Sequence, residues 1–185
     1  MHPLLDSLLA QHGDMARLIG LLERQPSLEP DPDAPHVGLL VDVMVYLTHF
    51  PDVSHHPLED RLADRLLARG ALDADLCREL QAQHPRLEQQ GPALLRDMEG
   101  AMRRETVPLE LVALNSRLYA ERLRHNIALE ELVLFPKADK YLDEDDWQAI
   151  AAIHAPASDP LSAGVVDQRF ERLRRAIARQ ADCGC

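Results

Sequence analysis

The side chains able to do chemistry in this 185-residue chain are mainly its nine histidines and a few of its 31 acids. Several of them interrupt rows that are otherwise apolar. His12 falls in the row Leu5, Leu8, His12, Met15, Ile19, Leu22, whose steps of three or four residues place it on the inward face of a helix. His55, Glu59, Leu62 and Leu66 form a second such row, and Leu76, Leu80, His84, Leu87 and Leu94 a third. Further on, Leu111, Leu114, Leu118 and His125 read as one inward row, with Tyr119, Leu123, Asn126, Glu130 and Leu134 beside it.

A lone inward histidine is ordinarily a satisfied core residue. A buried ionised carboxylate, by contrast, costs several kcal/mol unless it is paired or bound to a metal. Imidazoles and two acids, one set per helix and all facing a common axis, are satisfied together by a pair of metal ions. Bundle cores with inward Glu and His build carboxylate-bridged di-iron sites. A donor set in which imidazole predominates favours iron over magnesium or calcium. The expected cofactor is two non-haem irons.

The elements that must position these groups are helices. Period-2 runs and Asn-Gly turns are missing from the sequence, and Leu and Ala are abundant while aromatics are only 4%. The pattern predicts helices over about 3–25, 36–69, 73–104 and 108–141, a short one over 143–153 and a last one over 160–179. The second is expected to be interrupted near 50–54 by Pro51 and Pro57, and to end at Gly70. Asp73 is the expected N-cap of the third, and Pro108 belongs to the first turn of the fourth. The segment 26–35, with four prolines, reads as a loop. The fold class is all-α: an antiparallel four-helix bundle over about 1–141, a helical extension over 142–180 and a tail over 181–185, forming one domain.

Composition excludes several functions. The formal charge of −11 carries no basic stripe, against nucleic acid or an anionic membrane surface as partner. Apolar runs fall short of a bilayer span and the first residues lack a signal-peptide pattern, so the expected location is the cytoplasm. Cys77, Cys183 and Cys185 do not read as a secreted disulfide framework, and the terminal Cys-Gly-Cys reads as an inert tail, the alternatives being a soft-metal pair or a labile disulfide.

Beyond these readings, the stretch YLTHFPDVSHHPLED at 46–60 closely resembles the second-helix motif of bacterial hemerythrin-like (HHE) domains. QHGDMARL at 11–18, QHPRLE at 83–88, IALEE at 127–131, LFP at 134–136, DDW at 145–147 and DPL at 159–161 resemble the family's remaining segments, in order. The resemblance implies metal ligands His12, His55, Glu59, His84 and Glu130, with the two glutamates bridging. Glu88 stands where some members supply a further ligand. The family's histidine before Ile-Ala-Leu-Glu-Glu is replaced here by Asn126, with His125 one residue earlier. His125 is taken as the ligand; the alternatives are a weak amide oxygen from Asn126 or the loss of one metal. His56 is an additional candidate on the flank, orienting His55 or Glu59.

The implied activity is binding or sensing of oxygen or a related small ligand, possible roles lying in iron or redox homeostasis, by a monomer or homodimer. The alternative is a di-iron enzyme acting on peroxide or nitric oxide, or an iron donor for the repair of iron centres. Nucleotide-binding loops and nucleophile–base motifs are not visible in the sequence.

Overall fold

The structure is a computed structural model that describes residues 1–24, 37–103, 105–153, 159–161 and 168–182. The predicted loop at 26–35 and the Cys183 and Cys185 tail lie outside the described residues. Eight α-helices are described: α1 (Pro3–Glu23), α2 (Val37–Leu47), α3 (His56–Ala68), α4 (Ala74–Met102), α5 (Leu109–Leu129), α6 (Phe135–Tyr141), α7 (Glu144–Ile153) and α8 (Gln168–Asp182). No strand occurs among the described residues.

Two π-helical turns, Pro51–His55 and Glu130–Leu134, join α2 to α3 and α5 to α6. Both widen the helix one residue short of a proline. His56 N–H reaches Pro51 O just before Pro57, and Phe135 N–H reaches Glu130 O just before Pro136. A proline ring clashes with the carbonyl four residues back and cannot donate to it; the wider turn accommodates both defects. The chain thus forms four long rods: α1, α2–α3, α4 and α5–α6. Contacts run α1 to α2, α2 and α3 to α4, α4 to α5, and α5 back to α1, closing an antiparallel bundle.

Local signals fix the ends. The Asp73 carboxylate caps α4 by accepting from Asp75 N and Leu76 N. Gly70, with φ +68°, takes the left-handed conformation that stops α3, and Ala71 N closes back on Leu66 O. Pro108 is the N-cap residue of α5 rather than part of its first turn. The last helix does not start at Pro160 as the pattern suggested: Pro160 and Leu161 lie in a turn braced by Asp159, which accepts from Leu161 N and Tyr46 Oη, and α8 is described over Gln168–Asp182.

Helices α7 and α8 lie outside the four rods. Trp147 and Ile150 of α7 join the apolar cluster around Leu5, Leu58 and Leu62, while α8 packs on α1 and α2. Arg172 clamps the buried Asp42 carboxylate through Nε at 3.0 Å and Nη2 at 2.7 Å. Contrary to the expectation that every apolar run falls short, one helical stretch among the described residues, Val37–Ala68, is long and apolar enough to cross a membrane by length and composition. More than half of its apolar window, however, is buried inside the bundle, as in a core helix.

The core itself is split in two. One apolar cluster gathers Met15, Leu18, Leu22, Met44, Leu47, Leu87, Leu94 and Leu123; the other gathers Leu5, Leu8, Leu62, Leu66, Leu80, Leu134 and Phe135. Between them every rod carries polar residues at the same level.

Candidate metal centre

That level is occupied by His12 of α1, His55, His56 and Glu59 of the second rod, His84 of α4, and Asn126 and Glu130 of the fourth rod, all buried. Helical spacing explains the grouping. Glu59 follows His55 by four residues and His56 by three, so both imidazoles share its face although they are neighbours in sequence. On α4 the buried row runs Cys77, Leu80, His84, Leu87, Gly91, Leu94, and His84 faces inward as part of it.

The two carboxylates lie across the centre, each touching imidazoles on both sides. Glu59 Oε1 stands 3.1 Å from His12 Nε2 and 3.0 Å from His55 Nε2, while its Oε2 is 3.6 Å from His84 Nε2. Glu130 Oε2 is 3.5 Å from His12 Nε2, and its Oε1 is 3.1 Å from His84 Nε2. Ligands bound at about 2.1 Å to one metal ion stand about 3 Å from each other, which these separations approach. Two groups of donors can hold an ion: His12, His55 and Glu59, and His56, Glu59 and His84, each group's atoms lying within 4.8 Å of one another.

Every imidazole is oriented from behind. Nδ1 of His12 donates to Glu131 Oε1 at 3.1 Å, that of His55 to Gln11 Oε1 at 2.6 Å, that of His56 to Asp52 Oδ1 at 3.1 Å, and that of His84 to Asp60 Oδ1 at 2.9 Å. This leaves Nε2 as the inward atom of all four rings. A metal-bound histidine characteristically gives its other ring N–H to an acceptor in this way. His56 Nε2, Glu59 Oε2 and Glu130 Oε2 are buried with no hydrogen-bond partner among the described residues, and His55 Nε2, though 3.0 Å from Glu59 Oε1, is not aligned to bond it. Unpartnered buried polar atoms are rare and costly, and their gathering in this one layer fits bound cations.

The electrostatics agree. Burial holds the His55 imidazole down to about 4 against the pull of Glu59. Burial also opposes a charge on His84, but its hydrogen bonds to Asp60 and Glu130 outweigh this and hold it up at about 10. His12 is raised too, burial being overcome by Glu59, Glu130 and Glu131. Burial likewise disfavours the Glu59 anion, yet His55 and His12 keep it well below the ordinary carboxylate range. Burial and then the Glu59 charge push Glu130 up. The negative charge of Glu59, Glu130 and the acids behind the rings thus draws protons to the imidazoles where cations would otherwise supply positive charge.

His12, His55, Glu59, His84 and Glu130 are brought together; His125 and Glu88 are not. His125 is exposed over the outer seam between α4 and α5, beside Arg86, Leu118 and Arg122. Leu111, Leu114 and Leu118 of its supposed inward row are about half exposed, at 49%, 51% and 51%. The buried face of α5 is instead Val112, Ser116, Tyr119, Leu123, Asn126 and Ile127. One residue is about 100° of rotation, and regular helix continues to Leu129, so nothing turns His125 inward. Glu88 is exposed because the α4 row passes through Leu87. Asn126 is inside, but its Nδ2–H donates to Glu130 Oε1 at 2.7 Å, holding that carboxylate in place. His56 bonds neither His55 nor Glu59; its Nδ1 turns to Asp52 and its ring stacks on His84, centroids 4.3 Å apart.

Of the other histidines, His2 stacks on Trp147, His49 is exposed, and His36 and His154 lie outside the described residues. Tyr46 and Tyr119 are core residues, their hydroxyls donating to Asp159 and Leu47 O. The orienting groups Gln11, Asp52, Asp60 and Glu131 went unrecognised in the sequence. Their signal is position: three adjoin an inward donor, and Asp52 precedes His56 by four residues.

An all-α bundle with a buried layer of histidines and glutamates defines a cation-binding helical protein. Residues 4–138 match the hemerythrin HHE cation binding domain family, and the chain belongs to it. Comparisons with curated proteins and with solved structures each found no match.

Proposed function

We propose that this protein is a non-haem di-iron protein of the cytoplasm that binds or senses oxygen or a related small ligand. The observation that carries this reading is the ring of four imidazoles, Nδ1 engaged and Nε2 inward, around two carboxylates that each face both sides. His12, His55, His84, Glu59 and Glu130 would hold the metal, and family membership together with the imidazole-rich donors supports iron. A ferrous pair, when bound, supplies electrons and an open coordination position to a diatomic ligand.

The chain's own residues prepare that chemistry in three ways. Glu131, Gln11 and Asp60 fix the rings by their Nδ1 hydrogens, so the inward nitrogens need no reorientation on binding. Asn126 fixes Glu130. Leu8, Met15, Leu62, Leu134 and Phe135, all nearly inaccessible, close the layer above and below and keep bulk water out; Phe135 stacks on His12 at 5.2 Å. A dry, histidine-rich site with two carboxylates supports binding more than oxygenation of an organic substrate.

The test is optical. Aerobically purified protein should show near-ultraviolet charge-transfer bands that bleach on reduction and return on exposure to oxygen over repeated cycles. Sustained consumption of peroxide or nitric oxide would instead establish the enzymatic alternative. Colourless protein that takes up no iron refutes the proposal.

A further inference from the structure

The family pattern leaves the cation beside His84 short of a ligand, because Asn126 replaces a histidine and both His125 and Glu88 point away. We infer that His56 supplies the missing imidazole, so that this ion is held by His56 and His84 with the bridging glutamates, while His12 and His55 hold the other. The inference rests on the di-iron reading above and assigns its second position.

Four observations carry it. His56, Glu59 and His84 form one of the two donor groups found among the described residues. His56 Nε2 is buried and has no partner there, although its Nδ1–H is satisfied by Asp52. An imidazole packed only for volume has no reason to bury a bare nitrogen, which forfeits a hydrogen bond to water. Its ring stacks on His84, centroids 4.3 Å apart and 8° between planes, which sets it at the His84 end of the centre; a shared ion lies in both ring planes, so His56 turns out of the stack on binding. Finally, the Asp52 contact is the counterpart of Glu131, Gln11 and Asp60 behind the other three rings, an arrangement typical of a ligand. Asn126 as placed turns its Nδ2 toward Glu130 Oε1 at 2.7 Å and His84 Nε2 at 3.5 Å, so the amide presents its hydrogen-bearing nitrogen rather than its oxygen to this position.

Metal content of reconstituted protein provides the test. Full-length wild type, His56→Ala, His56→Gln and the double variant His56→Ala/Asn126→His are loaded anaerobically with ferrous ion, desalted and analysed for iron. Far-ultraviolet circular dichroism checks each fold. The wild type should retain about two irons per chain, and His56→Ala and His56→Gln about half of that. The double variant should recover the loss, because residue 126 lies within 3.5 Å of His84 Nε2. X-ray absorption of the wild type adds a reading that needs no variant: four histidines over two irons give about two imidazoles per iron, against about 1.5 without His56. Full iron retention in either folded His56 variant, or the lower imidazole count, overturns the inference while leaving the di-iron reading intact. A wild type that binds no iron overturns both.

Discussion

Replacing Asp60 by asparagine should weaken one metal position and spare the other. Asp60 Oδ1 accepts the His84 Nδ1–H at 2.9 Å and touches no other imidazole of the centre, whereas His12 and His55 lean on Glu131 and Gln11. A hydrogen bond to a charged group is worth about 1.5–3 kcal/mol when protected. The Asp60 side chain is 38% exposed and asparagine keeps a neutral acceptor oxygen, so the expected loss falls just below that range, at about 1.4 kcal/mol. That corresponds to a loss of about tenfold in affinity, the lower bound for removing a group that orients a metal ligand. Calorimetric titration of metal-free protein with ferrous or zinc ion, run without oxygen, should resolve two binding steps. In Asp60→Asn one step weakens by about tenfold and the other stays within about twofold. Asp64→Asn serves as control: Asp64 sits one turn along the same helix and bonds Gln81 instead. Equal weakening of both steps, or an effect matched by the control, would refute the assignment of Asp60 to His84.

Glu59 is common to both donor groups, so Glu59→Gln should remove both metals together, by about a hundredfold or more in affinity; a variant that still holds one ion at full strength would contradict the sharing, with metal analysis as the readout. Metal uptake should strengthen with rising pH, because His84, held up at about 10, and the raised His12 must shed protons to bind. The contribution of His84 to the metal-free fold has the opposite sign, being complete below about pH 6.5 and lost as pH rises toward about 10. Added metal should therefore raise the melting temperature more at about pH 9 than at about pH 6; paired thermal melts check the order. Gly91 lets α4 approach Thr48 and Tyr119, and an added Cβ would stand 2.5 Å from Thr48 Cγ2. Gly91→Ala should destabilise by about 1–2 kcal/mol despite its better helix propensity. Adding Thr48→Ser, which removes the methyl but keeps the hydroxyl on Met44 O, should restore most of the loss in chemical denaturation.

How far the sequence could be read depended on how each helix declares its phase. On α1 and α4 the histidine replaces one member of an otherwise apolar row, and His12 and His84 are legible at once. On α5 two apolar rows run side by side. Counting leucines selected Leu111, Leu114 and Leu118, which are half exposed; the true inward row carries small residues, Ser116 and Ala120, where helices come close. Stepping back from Glu130 through Asn126, Leu123, Tyr119, Ser116 and Val112 gives the correct phase, because a buried acid is a stronger marker than an exposed leucine is. The π turn at Glu130–Leu134 was signalled only by Pro136, although the break before Pro57 was expected. Gln11, Asp52, Asp60 and Glu131 look like ordinary solvated groups in sequence, since their role depends on ring orientations that only three dimensions supply.

Two cations held between the buried histidines and glutamates would show most directly in metal content coupled to stability. Metal-free protein incubated anaerobically with ferrous ion, then desalted, should retain about two irons per chain. Its melting temperature should rise by about 5–10 °C, as about 2.7 kcal/mol of binding at a hundredfold excess over Kd implies for a chain of this length. A folded protein that retains no iron and melts at the same temperature with and without it would contradict the account.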